Sequence, residues 1–504
     1  MSLKVALERI RKAEKSNASK LDLSDLKLTE IPSELSRLNQ LTELYLSGNE
    51  LSEIKGLEKL TQLTELNLSR NQIREIQGLE KLTQLTVLYL SRNQIREIQG
   101  LEKLTQLTAL YLSGNQLTEI KGLEKVVQLT QLFLWGNRLS EVKGLENLKH
   151  LKKLNLFDNQ LTEMPEYLLG LGLPIYWGID DDENGIFVVN NPFINPPPEI
   201  IKQGNKAIQE YFDQRKKSGE ELLNEAKLIL LGDGRSGKTS LANRLLGKAL
   251  PKEADRTQGV DIAIGEYSFK LANGKDFKIN IWDFAGQDKY KTLHQLFYTE
   301  SSLYVMVAES GNMTTDYDDW FQTAALFGEG SPLVLILNEF KAGIGMGSFD
   351  SIYWKKQFPE LKEVFTVNLG TKQNFSAAEE YIRLLAQTLP HTKYSFPSNW
   401  AAIRRVLNER RNEQYISLKE YFKICKDNDL PERESALILS SVLHKVGDCL
   451  HYQKSELLKQ FIILKNEWAT EAVYKILDDK VVAEDKCGFF DLSDLERIDR
   501  KSVV

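Results

Sequence analysis

The stretch LYLSGN at residues 44–49 recurs five more times in the first third of the chain, once unchanged and four times with substitutions. The later copies read LNLSRN, LYLSRN, LYLSGN, LFLWGN and LNLFDN, and their closing asparagines lie 22 residues apart, at Asn49, Asn71, Asn93, Asn115, Asn137 and Asn159. Alternate side chains of a strand share a face, so Leu44 and Leu46 are expected to point inward. Leu51 and Ile54 reach the same core from beyond the turn, where the asparagine can bond otherwise unpaired backbone groups. The period therefore predicts a solenoid whose neighbouring units bury one shared core.

This period and its leucine positions resemble the leucine-rich repeat. The two ends depart from the pattern, as capping units do. LDLSDLKL at residues 21–28 carries its leucines one residue out of step, and after Asn159 the spacing breaks until a last, degenerate unit closes at Asn191. We therefore expect a leucine-rich-repeat domain with caps over residues 1–191.

Residues between and after the strand leucines face the concave side of such a solenoid. Six of them are aromatic: Tyr45, Tyr89, Tyr111, Phe133, Trp135 and Phe157. Aromatic side chains suit a surface that binds a protein, which the sequence does not identify. The alternative is that these rings only cover the neighbouring strands.

Residues 192–222 are expected to form a linker. Three consecutive prolines stiffen its start, and the amphipathic helix predicted after them has one apolar face, with Ile200, Ile201, Ile208 and Tyr211. The linker should therefore space the repeats semi-rigidly from the next domain.

A phosphate-binding motif opens the middle third of the chain. The apolar run KLILLG, residues 227–232, continues as Gly232-Asp233-Gly234-Arg235-Ser236-Gly237-Lys238-Thr239 and then Ser240. This is G-x-x-x-x-G-K-[ST] between a buried strand and a helix. Its glycines let backbone N–H groups wrap a phosphate at the helix N-terminus, and Lys238 adds positive charge to the β- and γ-phosphates. The Thr239 hydroxyl is expected to ligate Mg²⁺.

Two alternating strands follow, joined at Asn273-Gly274, a strong hairpin signal. The second strand ends in the sequence DFAGQD, which begins with Asp283. A carboxylate at a strand tip beside the phosphate loop would hold a magnesium-bound water, although Asp283 could instead cap the turn. Gly286 is expected to offer its N–H to the γ-phosphate, and Gln287 to orient the attacking water.

The loop PKEADRTQGVD between these motifs contains Thr257. We expect Thr257 to coordinate Mg²⁺ and respond to the γ-phosphate, with plain solvent exposure as the alternative. Arg235 and Arg256 are candidates for the positive charge that assists hydrolysis, and for each a structural or solvated role is the alternative.

The remaining strands LYVMVAES, PLVLILNEF and EVFTVNL alternate with helical stretches. This alternation predicts a mostly parallel sheet with one antiparallel edge and helices on both faces. It resembles the Ras-like GTPase fold, which we assign to residues 223–392.

The repeats, an NPPPEI linker, GDGRSGKTS and WDFAGQD together resemble the Roco family. Residues 393–504 resemble the first half of its COR domain and, from the residues alone, should be mainly helical and winged-helix-like. The resemblance implies GTP and GDP as ligands, a conformational switch with slow hydrolysis, and nucleotide-responsive dimerisation mainly through the second half of COR. Since that half is not recognisable before Val504, at most a weak homodimer is expected.

Base recognition departs from this resemblance. GTPases of this fold usually read guanine with N-K-x-D, whereas residues 338–341 read Asn-Glu-Phe-Lys, and a lysine offers no acceptor to the base. Asn338 is retained, and Asn368-Leu369-Gly370 follows the last strand where a backbone N–H usually meets the base carbonyl. Another acceptor could be supplied by Glu339, Asp316 or Asn368. GTP remains the expected nucleotide, with weakened selectivity or another base such as adenine as the alternative.

Composition excludes several other classes of protein. Lys+Arg 65 against Asp+Glu 71 leaves a net charge of −6, without the basic character of a nucleic-acid binder. No run approaches 18 uncharged apolar residues, so no membrane span is expected. The three cysteines, Cys425, Cys449 and Cys487, are odd in number and far apart, which indicates a reducing, cytoplasmic environment.

Overall fold

The computed structural model divides the chain into two compact units, residues 1–216 and 217–504. The described residues are 2–178, 183–250, 263–283, 302–312, 314–328, 330–340, 349–455, 458–465 and 481. None of the helices formed by these residues is both long enough and apolar enough to cross a membrane.

The first unit is built from short strands that all run parallel. They are β1 Lys20–Asp22, β2 Glu43–Tyr45, β3 Glu65–Asn67, β4 Val87–Tyr89, β5 Ala109–Tyr111, β6 Gln131–Phe133, β7 Lys153–Asn155, β8 Ile175–Tyr176 and β9 Gly185–Phe187. They form one sheet in the order β1-β2-β3-β4-β5-β6-β7-β9-β8. The helices are α1 Ser2–Lys15, α2 Pro198–Ile201 and α3 Asn205–Ser218, with 3₁₀ turns at Ser33–Arg37 and Glu166–Leu171. The predicted solenoid is confirmed.

An asparagine ladder holds the turns of this solenoid together. At Asn93 the Nδ2 atom donates to the carbonyls of Leu68 and Leu90, both at 3.0 Å, and the Oδ1 atom accepts from the N–H of Ile73 at 3.0 Å. The same pattern recurs at the other asparagines of the period, all of which are buried. The ladder supplies the partners that bent backbone would otherwise lack, as the sequence predicted.

Both ends of the solenoid carry the expected atypical units. At the N-terminal end, β1 pairs with β2 so that Leu21 lies opposite Leu44, and α1 buries Ile10. At the other end, β9 pairs with β7, and Asn191 makes the ladder contacts of a complete repeat. The edge strand β8 beyond β9 was not foreseen, because it comes from the inserted stretch before the last unit.

The segment expected to be a linker folds mostly onto the end of the solenoid. The predicted apolar residues Ile200, Ile201, Ile208 and Tyr211 are fully buried within the first unit. The Asn205 side chain donates to the Leu173 carbonyl and accepts from the Ile175 N–H, at 2.7 and 2.8 Å. The amphipathic helix is therefore a cap that belongs to the repeats, and the division between the units comes after residue 216.

A six-stranded sheet forms the centre of the second unit. Its strands are β11 Glu225–Leu231, β12 Ala263–Lys270, β13 Asp276–Asp283, β14 Leu303–Glu309, β15 Leu333–Asn338 and β16 Leu361–Val367. Their order is β12-β13-β11-β14-β15-β16, with β12 antiparallel and all other pairs parallel. This is the predicted mostly parallel sheet with one antiparallel edge.

Helices cover both faces of this sheet. They are α4 Lys238–Leu245, α5 Tyr317–Gly328, α6 Ser351–Gln357 and α7 Phe375–Gln387. The α4 and α7 helices pack on one face, where Leu241 and Ile382 are fully buried. The other face packs against α5 and against Leu450 and Ile463 from the C-terminal region. The layered arrangement buries the apolar strands completely.

The C-terminal region is mainly helical, as expected. Its helices are α8 Ser398–Glu409, α9 Leu418–Asp427 and α10 Arg433–Val446, with 3₁₀ turns at Pro390–Lys393 and Arg411–Glu413. Two small antiparallel pairs accompany them, β10 Glu220–Leu222 with β17 Ser395–Pro397 and β18 Tyr415–Ser417 with β19 Phe461–Ile463. Cys425 and Cys449 are buried free thiols, as expected of core residues.

A buried ion cluster joins these helices to the sheet. Arg404 on α8 bonds the carboxylates of Glu225, at the start of β11, and of Asp448, just after α10. Burial alone would lower the pKa of Arg404, but the Asp448 and Glu225 charges outweigh it and raise that pKa above its ordinary value. Burial and the Asp448 charge raise the pKa of Glu225, and Arg404 offsets only part of this rise.

Candidate functional site

The phosphate-binding motif lies where β11 ends and α4 begins, and two of its glycines cannot be replaced without strain. Gly232 has φ +126°, and an added Cβ would lie 2.1 Å from the Val307 carbonyl oxygen. Gly237 has φ +109°, and its Cβ would lie 2.5 Å from Nδ2 of Asn338. Both positions therefore need glycine, because a side chain would clash with the neighbouring strands β14 and β15 and the positive φ would strain it.

Lys238 is the first residue of α4 and is only 7% exposed. Its Nζ atom donates to the carbonyls of Gly232 and Asp233, at 2.7 and 2.8 Å. The ammonium is thus held against the backbone of the loop that is expected to receive a phosphate. Thr239 and Ser240 follow half-buried in the first turn, and Ser236 is buried, while Gly234 and Arg235 are exposed.

A contact that sequence reasoning missed anchors this loop. The Oδ1 atom of Asp233 accepts a hydrogen bond from Nε1 of Trp320 on α5, at 3.0 Å. Trp320 is itself packed in the core beneath the sheet. Since the two residues are 87 positions apart, no local motif could have indicated the contact.

Asp283 lies at the carboxyl end of β13, opposite Leu230 near the end of β11, and is 3% exposed. A buried carboxylate at the same sheet edge as the loop, together with the Thr239 hydroxyl, forms an oxygen donor set that fits Mg²⁺. Thr257, Gly286 and Gln287 lie outside the described residues.

The predicted base-contacting residues meet beside the loop. Asn338, 2% exposed at the end of β15, donates from Nδ2 to the Ser236 carbonyl and accepts at Oδ1 from the Leu369 N–H, both at 3.2 Å. Asn368 accepts at Oδ1 from the Thr371 N–H at 2.8 Å. The structure therefore brings Asn338 and Asn368 together with the phosphate loop.

A buried amine lies near the start of β11. Lys227 Nζ lies 4.1 Å from the centroid of the Trp282 ring, and Trp282 immediately precedes Asp283. Burial lowers the pKa of Lys227 to about 7.

Three family models match the chain in succession. A model of leucine-rich repeats in two copies matches three times, a model described as the Ras of Complex, Roc, domain of DAPkinase matches once, and a model described as the COR-A domain, C-terminal of Roc, matches once. The matched residues, in chain order, are 39–81, 83–125 and 127–168 for the repeats, 227–341 for Roc and 397–503 for COR-A.

Two relatives with Roc and COR in their names match about half of the chain. The Roc-COR-CHAT protease of Runella zeae is 30% identical over 280 residues, which cover 51% of this chain and 30% of that protein. A Roc-COR-CHAT protease from an unknown prokaryotic organism is 29% identical over 332 residues, or 58% of this chain and 30% of that protein. The match thus spans less than a third of either relative's length.

A solved structure also matches. It is the RocCORdC region of Methanosarcina barkeri Roco2 bound to GDP, which is 28% identical with a TM-score of 0.50. The match covers 55% of this chain and 84% of that one. Leucine-rich repeats, a Ras-like Roc GTPase domain and a COR-A domain follow one another in this chain, which thus carries the Roc and COR domains that Roco proteins have.

Proposed function

We propose that the protein is a Mg²⁺-dependent GTP-binding switch that hydrolyses GTP slowly and presents its repeats to a protein partner. The observation that carries the proposal is the buried Lys238, whose ammonium donates to two carbonyls of the loop. Two glycines of the same loop have no space for a Cβ. A buried cation beside a backbone loop at a helix N-terminus is suited to a nucleotide polyphosphate. The Roc match and the GDP-bound Roco relative support the same ligand.

Each site residue then has a role. Thr239, Asp283 and Thr257 would hold Mg²⁺, which neutralises charge on the β- and γ-phosphates when bound. Lys238 contacts the same phosphates, Gly286 donates its N–H to the γ-phosphate, and Gln287 orients water. The backbone of the whole loop, Gly232 to Ser240, surrounds the phosphates, while Asn338 and Asn368 border the base.

The repeats supply the interaction surface in this proposal. Tyr89, Tyr111 and Phe133 form a continuous stack, with ring centroids 4.5 and 4.6 Å apart. Stacking of this kind stabilises the sheet and also presents a continuous row of half-buried ring edges to a partner. We place the protein in the cytoplasm, where its buried thiols stay reduced, and include a weak homodimer in the proposal.

Nucleotide binding and phosphate release by the full chain test the proposal. Lys238→Ala should abolish binding of a fluorescent GTP analogue, because it removes the charge that faces the phosphates. Lys248→Ala, at an exposed lysine beyond the same helix, is the matched control and should bind normally. Undiminished affinity of the Lys238→Ala protein would refute the assignment of the phosphate site.

A nucleotide-loaded scaffold with negligible turnover, or with relaxed base specificity towards ATP, is the second candidate. The observation that favours it is the sequence at 338–341, which lacks the usual lysine and aspartate. The scaffold binds Mg²⁺–GTP or Mg²⁺–ATP in the same assay but releases no phosphate above the Lys238→Ala background.

A further inference from the structure

Two neighbouring turns of the solenoid carry the same outward-facing pattern. Residues 69–74 and 91–96 both read SRNQIR. In each turn the asparagine and the isoleucine are buried, and the arginines on either side of them are exposed. The two turns are bonded directly, since the Gln94 N–H donates to the Ile73 carbonyl at 2.8 Å, so equivalent backbone positions lie about 5 Å apart, the spacing of paired strands. We call the four exposed arginines of these turns the arginine patch: Arg70, Arg74, Arg92 and Arg96.

The first arginine of each turn has a backbone conformation that suits other residues better. Arg70 and Arg92 lie in the left-handed region, at φ +55° and +57°. Glycine adopts this region without strain, and the short polar side chains of aspartate and asparagine tolerate it. Such residues occupy the equivalent position of the other repeats, at Gly48, Gly114, Gly136, Asp158 and Asn190. The fold alone therefore gives no reason for arginine at these two positions.

The positive charge of the arginine patch is unpaired. Within the part of the chain that the structure describes, none of its guanidinium groups has an ion pair or a hydrogen bond. Three other repeats pair a lysine with the carboxylate two residues before it, as Lys55 with Glu53, Lys121 with Glu119 and Lys143 with Glu141. In the two turns of the patch, glutamines replace that lysine and donate to the carboxylates, Gln77 to Glu75 and Gln99 to Glu97. The positive charge of these turns is thus carried by arginines that face solvent.

An open pocket of about 470 Å³ lies at one end of the arginine patch. Its lining contains Arg74, Arg96 and four glutamines, together with Glu75 and Glu97. Guanidinium groups only donate hydrogen bonds, whereas glutamine amides both donate and accept them. The pocket therefore offers cations to an anionic group and amides to a peptide backbone.

We infer that the arginine patch binds an acidic segment of a protein partner, whose carboxylates are held by the guanidinium groups and whose backbone is held by the glutamines of the pocket. A planar guanidinium matches a carboxylate through two parallel hydrogen bonds. The stack of Tyr89, Tyr111 and Phe133 begins in the strand just before Arg92, so the patch continues the aromatic surface. The inference rests on the proposed role of the repeats as an interaction surface and gives the chemistry of the partner.

A nucleic acid fits this surface less well than an acidic protein segment. Glu75 and Glu97 lie in the same pocket, and the whole chain has a net charge of −6. A phosphate backbone carries a charge at every step and would meet these carboxylates, whereas an acidic segment carries a few separated charges. The charge distribution therefore favours a protein.

Selection of a random dodecapeptide library on the full chain, at physiological salt, tests the inference. The matched quadruple variant gives each arginine the residue of a neighbouring repeat: Arg70→Gly, Arg74→Ser, Arg92→Gly and Arg96→Thr. Peptides enriched on the unmodified chain should share acidic positions and should bind this variant about tenfold or more weakly, the size expected for one lost charge-assisted contact. Replacing those acids by their amides in the peptide should weaken binding to the unmodified chain similarly and leave binding to the variant unchanged.

A double variant controls for the loss of charge alone. Lys121→Gln with Lys143→Gln removes two exposed positive charges from the same solenoid and should leave the peptide affinities unchanged. Thermal unfolding provides a second readout. The quadruple variant should unfold at the same temperature as the unmodified protein or at a higher one, because glycine relieves the left-handed backbone. A lower unfolding temperature would mean that the arginines serve the fold and would overturn the inference.

The remaining outcomes separate this inference from the proposed function. Enriched peptides that lack acidic residues, or that bind the quadruple variant equally well, would overturn the inference while leaving a peptide-binding surface on the repeats. Tighter binding of a single-stranded oligonucleotide than of any enriched peptide would overturn the assignment to a protein partner. Enrichment of no peptide on the unmodified chain would overturn the inference and the proposed interaction surface together, whereas nucleotide binding is measured independently.

Discussion

The two units bury their polar groups differently. In the repeats, one residue type at a fixed spacing makes the same three bonds in turn, and the partners of Asn93 lie no more than 25 residues away. In the second unit some of the polar contacts instead join distant positions, as in the bond between Arg404 and Glu225, 179 residues apart. The asparagine ladder repeats one set of bonds in successive turns, whereas a contact such as that between Arg404 and Glu225 is not repeated.

This difference has consequences for stability. A lost rung of the ladder leaves the neighbouring rungs and their shared apolar core in place. Loss of Arg404 from the ion cluster removes the cation that two buried carboxylates share. We therefore expect the second unit to be far more sensitive to single polar substitutions.

Arg404→Ala should have the largest effect. It removes the cation that Glu225 and Asp448 share and leaves Asp448 with only the more distant Arg411, at 3.5 Å, so the second unit should lose about 3–5 kcal/mol of unfolding free energy. Urea unfolding followed by the fluorescence of the second unit's tryptophans measures the loss. Arg405→Ala, which breaks an exposed pair with Glu221, is the matched control and should cost less than about 1 kcal/mol. Equal losses in the two variants would contradict the proposed contrast.

Asn93→Ala should come next. It leaves the buried N–H of Ile73 unpaired, while the Leu68 and Leu90 carbonyls keep their bonds from Asn71 and Asn115, and should cost the first unit about 1–3 kcal/mol. Asn67→Ala provides the comparison, because Asn67 is half-buried and its side chain accepts from the nearby Ser69 N–H. Thermal unfolding of both variants would show whether burial in the ladder, and not asparagine itself, provides the stabilisation.

Lys227 tests the second unit through pH. Its folded pKa of about 7 lies below the ordinary value of 10.5, so between these values the unfolded chain binds the additional proton and stability rises with pH. Below pH 7 both states are protonated and this dependence disappears. Relative to Lys227→Met, the unmodified protein should gain about 1–2 kcal/mol between pH 7 and pH 9. If the unfolding free energies of the two proteins changed equally with pH, the prediction that burial lowers the pKa of Lys227 would be wrong.

Tyr111→Leu should have the smallest effect. It interrupts the ring stack with Tyr89 and Phe133 and should cost about 1 kcal/mol of the first unit's stability. Tyr111→Phe keeps the stack, loses only the hydrogen bond to Gln131, and should be close to neutral. Unchanged stability in Tyr111→Leu would leave partner binding as the reason for the aromatic row.

Local patterns predicted most of the architecture. The 22-residue period indicated the solenoid and its asparagine bonds, and the alternation of apolar runs with helical stretches indicated a mostly parallel sheet with one antiparallel edge. The sequence did not decide the role of one amphipathic helix, because its apolar face has two explanations. The helix containing Ile208 and Tyr211 reads equally as a spacer or as a cap, and only its contacts with the last repeats made it a cap.

For the candidate site, the sequence by itself determined the loop from Gly232 to Ser240 and the placement of Asp283 and Asn338 at strand ends, because these features follow from neighbouring residues. Tertiary structure alone decided that Trp320 anchors Asp233 and that Arg244 holds the loop at Leu369 and Gly370. These bonds join positions 87 to 126 residues apart. In the sequence, Trp320 and Arg244 are ordinary helix residues, because their partners come within hydrogen-bonding distance only when the sheet forms. No periodicity or local motif can therefore indicate these bonds.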